Sequence, residues 1–317
     1  MKSIFYILSI VFLLQSCIKD KDEIFIPTHA DYPTNSLKSL IPSKSLDVKL
    51  SNNESHKLTT KFNSYIEVDK GAFDSESEGD IQYDLKVIEL RKYVDYILQN
   101  VDHESSIGIT NTIYSFYVSA EKDGNQLGFE EGKTIRVRFP HDKLTGELAL
   151  GYGQAFDNSL RWEYFTSNIN SQVEHIAWEA IDENGIMHIE YGYEIIINNS
   201  GWYSLVTKES LSSSSSSLCL SYSPEFNGDN TAAYLLMNDR KYITKLKMIN
   251  DNSSTFCLNN LPATDQVPYT IISISKSVDG HYYYFEQELE LGAEALEINV
   301  EPHQVNLSEI QFELETL

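Results

Sequence analysis

The chain has 317 residues, of which 24 are lysine or arginine and 47 are aspartate or glutamate, and its formal net charge at pH 7 is −23. So acidic a chain repels polyanions, which argues against nucleic acid or a bare lipid-phosphate surface as its partner. Its 20 tyrosines and 14 phenylalanines beside 8 prolines are typical of a folded, β-rich chain and argue against intrinsic disorder.

The first residues have the pattern of a signal peptide. Lys2 supplies one positive charge, and an apolar run of about eleven residues follows from Ile4 to Leu14, too short to cross the roughly 30 Å hydrocarbon core of a bilayer. A run of this length is typical of the apolar region of a signal peptide, which is removed and takes no part in the fold. We therefore predict a signal peptide over residues 1–16.

The segment Leu14-Gln15-Ser16-Cys17 resembles the lipobox of bacterial lipoproteins. In that family the peptide is cut before the cysteine, which is acylated, so the resemblance implies that Cys17 is lipidated. Several acyl chains make a stable anchor, whereas a single chain binds only marginally. An ordinary secretory signal with an incidental cysteine is the alternative.

The charged residues of "IKDKDE", the segment that follows this cysteine, resemble the export signal of Bacteroidota lipoproteins that face outward from the outer membrane. The resemblance implies a protein that is lipid-anchored in the outer membrane and exposed at the cell surface, with a periplasmic orientation as the alternative. Residues 17–55 are polar, contain Pro27, Pro33 and Pro42, and show little apolar periodicity. We predict that they form a flexible tether behind the lipidated cysteine.

Short segments with the alternation of half-buried strands follow from residue 56. "LRKYVDYIL" instead predicts one short helix, and turn signals such as "KDGNQ" and "DENG" separate the strand segments. We predict a first β-sandwich domain over residues 56–210. The alternate apolar residues that should share a face are Ile81, Tyr83, Leu85 and Val87, then Ile135, Val137 and Phe139, and then Met187, Ile189, Tyr191, Tyr193, Ile195 and Ile197.

A run of six serines, Ser212 to Ser217, divides the chain. Serines lack the apolar surface to pack, so we predict a linker over residues 211–217, with a long loop inside a single domain as the alternative. The six short strands that follow predict a second β-sandwich of immunoglobulin-like size over residues 218–317. The final "IQFELETL" fits either a short closing helix or a last strand. The predicted fold class is therefore all-β, with two tandem sandwich domains.

Two stretches also resemble a known group of proteins. "SYIEVDKGAFDSESEGDIQYDLKVIEL", with Gly71-Ala72-Phe73, is similar to a segment of a group of Bacteroidota lipoproteins whose first domain is similar to the β-sandwich module of ankyrins and netrin receptors. "STFCLNNLPATDQVPYTIISISK" resembles the core of transthyretin-like, carboxypeptidase-regulatory-type sandwiches. The resemblance implies fold and cellular location, and it implies no biochemical activity.

Motifs of catalysis and metal binding are missing from the sequence. It has no G-x-S-x-G elbow, no H-E-x-x-H and no C-x-x-C, so we predict that the protein is not an enzyme and has neither a cofactor nor a metal. Cys219 and Cys257 are free to pair outside the cytoplasm, although two buried thiols are an equal alternative. The acidic stretch of Asp74, Glu76, Glu78 and Asp80 around Gly79 fits a solvated hairpin loop better than a calcium loop, because Leu85 stands where the EF-hand pattern needs glutamate.

Aromatic residues offer the remaining candidate contacts. We expect Trp162 and Trp202 in the core, and we expect Tyr282 or Tyr284 in "HYYYF" to be exposed as a ligand contact. The predicted function is a non-enzymatic, lipid-anchored envelope protein that presents β-sandwich domains for adhesion, assembly or ligand binding. The alternative is a glycan-binding accessory lipoprotein of a polysaccharide-uptake system. The expected partners are the membrane, through the anchor, and an envelope protein or glycan, with no nucleic acid.

Overall fold

The computed structural model describes residues 37, 40–41, 44–74, 81–103, 110–144, 146–156, 159–165, 172–181, 185–208, 215–238, 241–250, 253–262, 268–292 and 294–317. The predicted signal peptide, Cys17 and the centre of the acidic loop around Gly79 lie outside these residues.

The described residues form 21 strands and two helices. Strands β1 to β12 are Leu46–Ser51, His56–Thr59, Tyr65–Val68, Gln82–Leu90, Thr110–Lys122, Asn125–Gln126, Ile135–Pro140, Leu148–Phe156, Ser159–Phe165, Val173–Ile181, Met187–Ile197 and Gly201–Lys208. Strands β13 to β21 are Ser215–Ser221, Thr231–Met237, Tyr242–Lys245, Lys247–Met248, Thr255–Pro262, Pro268–Lys276, Tyr282–Glu290, Leu296–Asn299 and His303–Val305. Helix α1 is Tyr93–Gln99 and helix α2 is Leu307–Thr316. The prediction of an all-β sandwich fold is confirmed.

Two sheets enclose the first core, and we call them together the N-terminal sandwich. Sheet I has the strand order β1-β4-β5-β12-β8-β9, with β6 paired to β5, and sheet II has the order β10-β11-β7-β3-β2. The predicted inward positions are buried between them, with Tyr83, Leu85 and Val87 from sheet I and Val137 and Phe139 from sheet II. Strand alternation was therefore a sufficient guide to this core, because each of these strands presents one face to the opposite sheet.

Two further sheets enclose a second core, and we call them the C-terminal sandwich. Sheet III has the order β16-β17-β13-β20, in which β13 and β20 are parallel, and sheet IV has the order β15-β14-β18-β19-β21. An immunoglobulin constant domain places its second and third strands in opposite sheets, whereas β14 and β15 are neighbours in one sheet. The strand order of these two sheets therefore differs from that of an immunoglobulin constant domain.

A third apolar cluster joins the two sandwiches, and we call it the inter-sandwich cluster. It contains the outer face of sheet I, the outer face of sheet IV and buried residues of both helices. Trp162 and Trp202, which we expected in the core, lie in this cluster and are 0% and 1% exposed. Because the cluster covers the outer face of sheet IV, every residue of β14 is buried, in contrast to the one-sided burial that is usual for antiparallel sheets.

The predicted boundaries of the tether and the linker are wrong within the described residues. β1 pairs with β4, with Leu46 opposite Val87 and Leu50 opposite Tyr83, so a tether that reaches residue 55 would include a strand of sheet I. The alternation of Leu46, Val48 and Leu50 covers only three apolar positions, which made it easy to miss. Likewise, β13 begins at Ser215, inside the predicted 211–217 linker, because strand pairing with β17 uses backbone groups that serine supplies as well as any other residue.

Both helices pack on the sandwiches. α1 lies in the segment predicted to be helical, and it buries Val94, Ile97 and Leu98. α2 settles the ambiguity of the last segment in favour of a helix. Its N-cap is Asn306, whose side chain accepts a hydrogen bond from the Glu309 backbone N at 3.0 Å while Glu309 Oε2 accepts one from the Asn306 backbone N at 2.8 Å.

Candidate functional site

No metal centre is present among the described residues, since no three histidine, cysteine, aspartate or glutamate side chains there are grouped to hold an ion. Within the same residues, no helix is both long and apolar enough to span a bilayer. Only Asp74 of the four acidic residues in the predicted loop is among the described residues, so the calcium-loop alternative lies outside them. The Asp74 carboxylate adjoins Glu130, and the hydrogen bond and charge of Asp74 raise the pKa of the Glu130 carboxyl.

The two cysteines of the C-terminal sandwich form a disulfide. Cys219 on β13 is directly opposite Cys257 on β17, with a Cα–Cα distance of 4.2 Å. Of the two alternatives left open by the sequence, the structure therefore contains the bonded pair. Neither residue is fully buried, so the bond joins two strands of sheet III near their solvent-facing side. Such a bond persists in oxidising compartments and is rare in the cytosol.

A polar cluster closes one part of the N-terminal core, and its buried carboxylate is both hydrogen-bonded and ion-paired. Glu89 Oε1 accepts hydrogen bonds from Ser64 Oγ at 2.6 Å and from the Tyr114 hydroxyl at 2.7 Å, and it pairs with Arg91 at 3.3 Å. The Arg91 guanidinium also lies over the Tyr114 ring, 4.4 Å from its centroid. Burial, with the adjacent Glu89 charge, raises the pKa of Tyr114 well above its usual value. A carboxylate that is paired and hydrogen-bonded in this way has a structural role.

The predicted exposure of Tyr284 is wrong. Its side chain is 2% exposed and packs in the inter-sandwich cluster, and its hydroxyl donates to Glu286 Oε2 at 2.7 Å. Tyr282 is half-buried against the same cluster, with Lys276 Nζ 5.2 Å from its ring centroid. The sequence correctly implied that alternate residues of this strand face opposite ways, but the outer face of sheet IV is itself covered. Neither tyrosine forms the exposed aromatic surface that we expected.

An open cleft lies at one end of the C-terminal sandwich, where β13, β19 and β20 and the loop after β13 meet. Its volume is about 540 Å³, which is within the range of small-molecule sites. Three aromatic rings form its floor, with Phe226 between Tyr222 and Tyr283 at centroid distances of 6.4 and 5.2 Å and with edge-to-face geometry in both pairs. Tyr283 alternates with Tyr282 and Tyr284 along β19 and therefore lies on the opposite face of that strand.

The cleft, which we call the end cleft, is acidic at its rim. Its polar lining includes the exposed side chains of Glu225, Asn299 and Glu301, and no lysine, arginine or histidine is among the described residues that line it. Burial raises the pKa of the Tyr222 hydroxyl, so this ring stays neutral at physiological pH. The end cleft therefore suits a neutral or cationic ligand and disfavours an anionic one.

The hairpin of β10 and β11 carries an exposed apolar face. β7 pairs with β11 only from Gly192 onward, so residues 187–191 of β11 extend past the sheet with β10 as their strand partner. Four side chains on this extension share one face and are more than half exposed, at 63%, 62%, 54% and 60% for Ile181, Met187, Ile189 and Tyr191. Exposed apolar groups that cluster in this way mark interaction sites. We call this group the hairpin face.

Alternation in the sequence predicted that Met187, Ile189 and Tyr191 share a face, but it did not indicate that this part of the face extends past the core between sheets I and II. In β11 the same alternation runs from Met187 to Ile197, and Tyr193, Ile195 and Ile197 are buried in the N-terminal core. The length of the segment could have indicated the uncovered part. "MHIEYGYEIII" alternates over eleven residues, whereas the neighbouring strand "IRVRFP" has only six.

Comparison with known proteins adds no assignment. No protein-family model matches the chain, and no curated protein matches it significantly in sequence.

Proposed function

We propose that this protein is a non-enzymatic lipoprotein of the cell envelope, anchored in the outer membrane through Cys17 and exposed at the cell surface. Its sandwich domains serve adhesion, assembly or ligand binding. The observation that carries the binding role is the hairpin face, because four large apolar side chains in water are costly unless a partner covers them. The disulfide between Cys219 and Cys257 supports a location outside the cytoplasm. The resemblance to Bacteroidota lipoproteins supports the same location.

Metabolic labelling with palmitate tests the anchor. The wild-type protein should incorporate the label, and Cys17→Ser should lose it while the rest of the chain is unchanged. Protease treatment of intact cells then tests the orientation, since a surface protein is digested and a periplasmic one is protected. An unlabelled wild-type protein, or a Cys17→Ser variant that is labelled equally, would contradict the proposed anchor.

Glycan binding is the second candidate, and the end cleft favours it. Three aromatic rings beside side-chain amide, hydroxyl and carboxylate groups provide the apolar surface and the hydrogen-bonding groups of a site for a neutral sugar. The protein would then act as an accessory to polysaccharide uptake.

A glycan array with the purified protein tests this second candidate. Binding to a neutral polysaccharide should be lost in Tyr283→Ala and retained in Tyr191→Ala, which removes an exposed tyrosine from the hairpin face instead. Absence of binding to any neutral glycan, or equal loss in both variants, would exclude the end cleft as a glycan site.

A further inference from the structure

Within the described part of the chain, the outer edge of β10 is not paired with another strand. β10 is the last strand of sheet II, with β11 on one side and no other described strand on the other. The Ile196 backbone N donates to Gln172 O at 2.8 Å, and the His141 backbone N donates to Tyr191 O at 3.1 Å. Hydrogen-bonded and non-hydrogen-bonded pairs alternate along an antiparallel ladder. Both bonds indicate that the even-numbered residues of β10 are the ones hydrogen-bonded to β11. The residues of β10 whose peptide groups face away from β11 are Val173, His175, Ala177, Glu179 and Ile181.

The sequence of this edge is complementary to itself. When two copies of β10 run antiparallel about a two-fold axis at Ala177, all nine residues of the strand are paired. Ala177 then meets Ala177 of the second copy, His175 meets Glu179, and Val173 meets Ile181. The central pair is small, and each flanking pair joins an imidazole with a carboxylate, which is a favourable cross-strand combination.

A symmetric register about Glu179 fits less well. An axis at Glu179 would place that carboxylate opposite its own copy, and like charges directly opposite are destabilising. In the register about Ala177, the second acidic residue of the strand, Glu174, meets Ala180 of the other copy. No carboxylate therefore faces another carboxylate across the new strand pair.

The same pairing covers part of the hairpin face. Ile181 is 63% exposed in the single chain, and in the pair it gains Val173 of the second copy as an apolar neighbour. Val173 is itself a residue of the N-terminal core. The exposed end of one hairpin thus lies beside the core-facing side of the other copy's sheet II.

We propose that the edge of β10 is a homodimer interface, at which two copies join their sheets II antiparallel about a two-fold axis at Ala177. This inference rests on the assembly role within the proposed function and specifies its partner as a second copy of the chain. Isologous contacts of this type are the commonest in soluble homo-oligomers. They also remove an exposed sheet edge, which is otherwise a liability for aggregation.

Cysteine cross-linking of the full-length protein in its membrane tests the axis directly. In Ala177→Cys, the new thiol faces its own copy across a strand pair with a Cα–Cα distance of about 5.5 Å, which suits a disulfide. Glu174→Cys is the matched control, because it is also exposed and on the same strand, yet its two copies are about 20 Å apart in this register. The native Cys219 and Cys257 are already bonded to each other.

Mild oxidation should convert most of Ala177→Cys to a covalent dimer of twice the chain mass and leave Glu174→Cys monomeric. A correctly folded Ala177→Cys that gives no dimer, or equal yields from the two variants, would overturn the proposal, as would a cross-link to a different protein. These results are independent of palmitate labelling, so a failure of the interface and a failure of the lipid anchor are distinguishable.

Sedimentation equilibrium of the detergent-purified protein gives a second measure. Glu179→Lys places a cation opposite His175 at two symmetric positions and should weaken dimerisation by roughly tenfold or more. Glu174→Lys makes the same change in charge opposite an alanine and should leave the dissociation constant nearly unchanged. Equal effects of the two substitutions would show that only net charge matters, and the proposed register would be wrong.

Discussion

His103 connects the two sandwiches through bonds that require a neutral imidazole. The Ile243 backbone N donates to His103 Nδ1 at 3.0 Å, and the His103 backbone N donates to Ile243 O at 2.8 Å. Because Nδ1 accepts, the proton of the neutral ring is on Nε2, which donates to Thr112 Oγ1 at 3.2 Å. The ring is completely buried and packs edge-to-face on Tyr96, at 4.6 Å between centroids.

Burial, together with the nearby charge of Lys241, lowers the pKa of His103 to about 3. In the unfolded chain the pKa of this histidine is about 6.5. Between these two values the unfolded state binds the proton and the folded state does not, so the free energy of unfolding falls as the pH falls from 6.5 toward 3. The expected loss is about 2 kcal/mol between pH 7 and pH 5 and about 4 kcal/mol by pH 3.

Urea denaturation of wild type and His103→Asn at pH 7 and pH 5 measures this loss. The asparagine oxygen can still accept from the Ile243 N–H but does not titrate. The variant should be less stable at pH 7, by about 2 kcal/mol, because ring packing is lost. That deficit should nearly vanish at pH 5. His281→Asn is the control, since His281 is an exposed histidine with a side-chain exposure of 54%. A deficit of His103→Asn that is the same at both pH values would refute the assigned role.

Three further predictions concern stability. Glu89→Gln removes the counter-charge of the partly buried Arg91 and should cost about 2 kcal/mol in urea unfolding. Glu190→Gln, in a more exposed pair with His188, should cost under about 1 kcal/mol, and similar costs would contradict the assignment. Gly192→Ala brings a Cβ into the Phe139 carbonyl oxygen and should lower the melting temperature markedly, unlike the exposed Gly292→Ala, whose Cβ meets no atom within 4 Å and whose backbone does not require glycine. Replacing both Cys219 and Cys257 with serine should cost roughly 4 kcal/mol, given 38 residues of separation; an unchanged urea midpoint would contradict this.

The sequence by itself determined the local structure and the core-facing positions of many strands. A strand presents alternate residues to opposite faces, so "IQYDLKV" and "IRVRF" specified their buried sides in advance. Helical spacing similarly predicted α1. The composition and the pattern around Cys17 led to the proposal of an envelope lipoprotein, which the fold neither requires nor contradicts.

Only the tertiary structure decided what covers each face. Period-two alternation assigns Tyr282 and Tyr284 to one side of β19 and Tyr283 to the other, but it does not say that the first side meets a second sandwich. The same limit applies in reverse to β11, where Tyr191 and Tyr193 share a face and one is exposed while the other is buried. Burial depends on which segments, distant in sequence, come to lie opposite a face, and local periodicity carries no information about them.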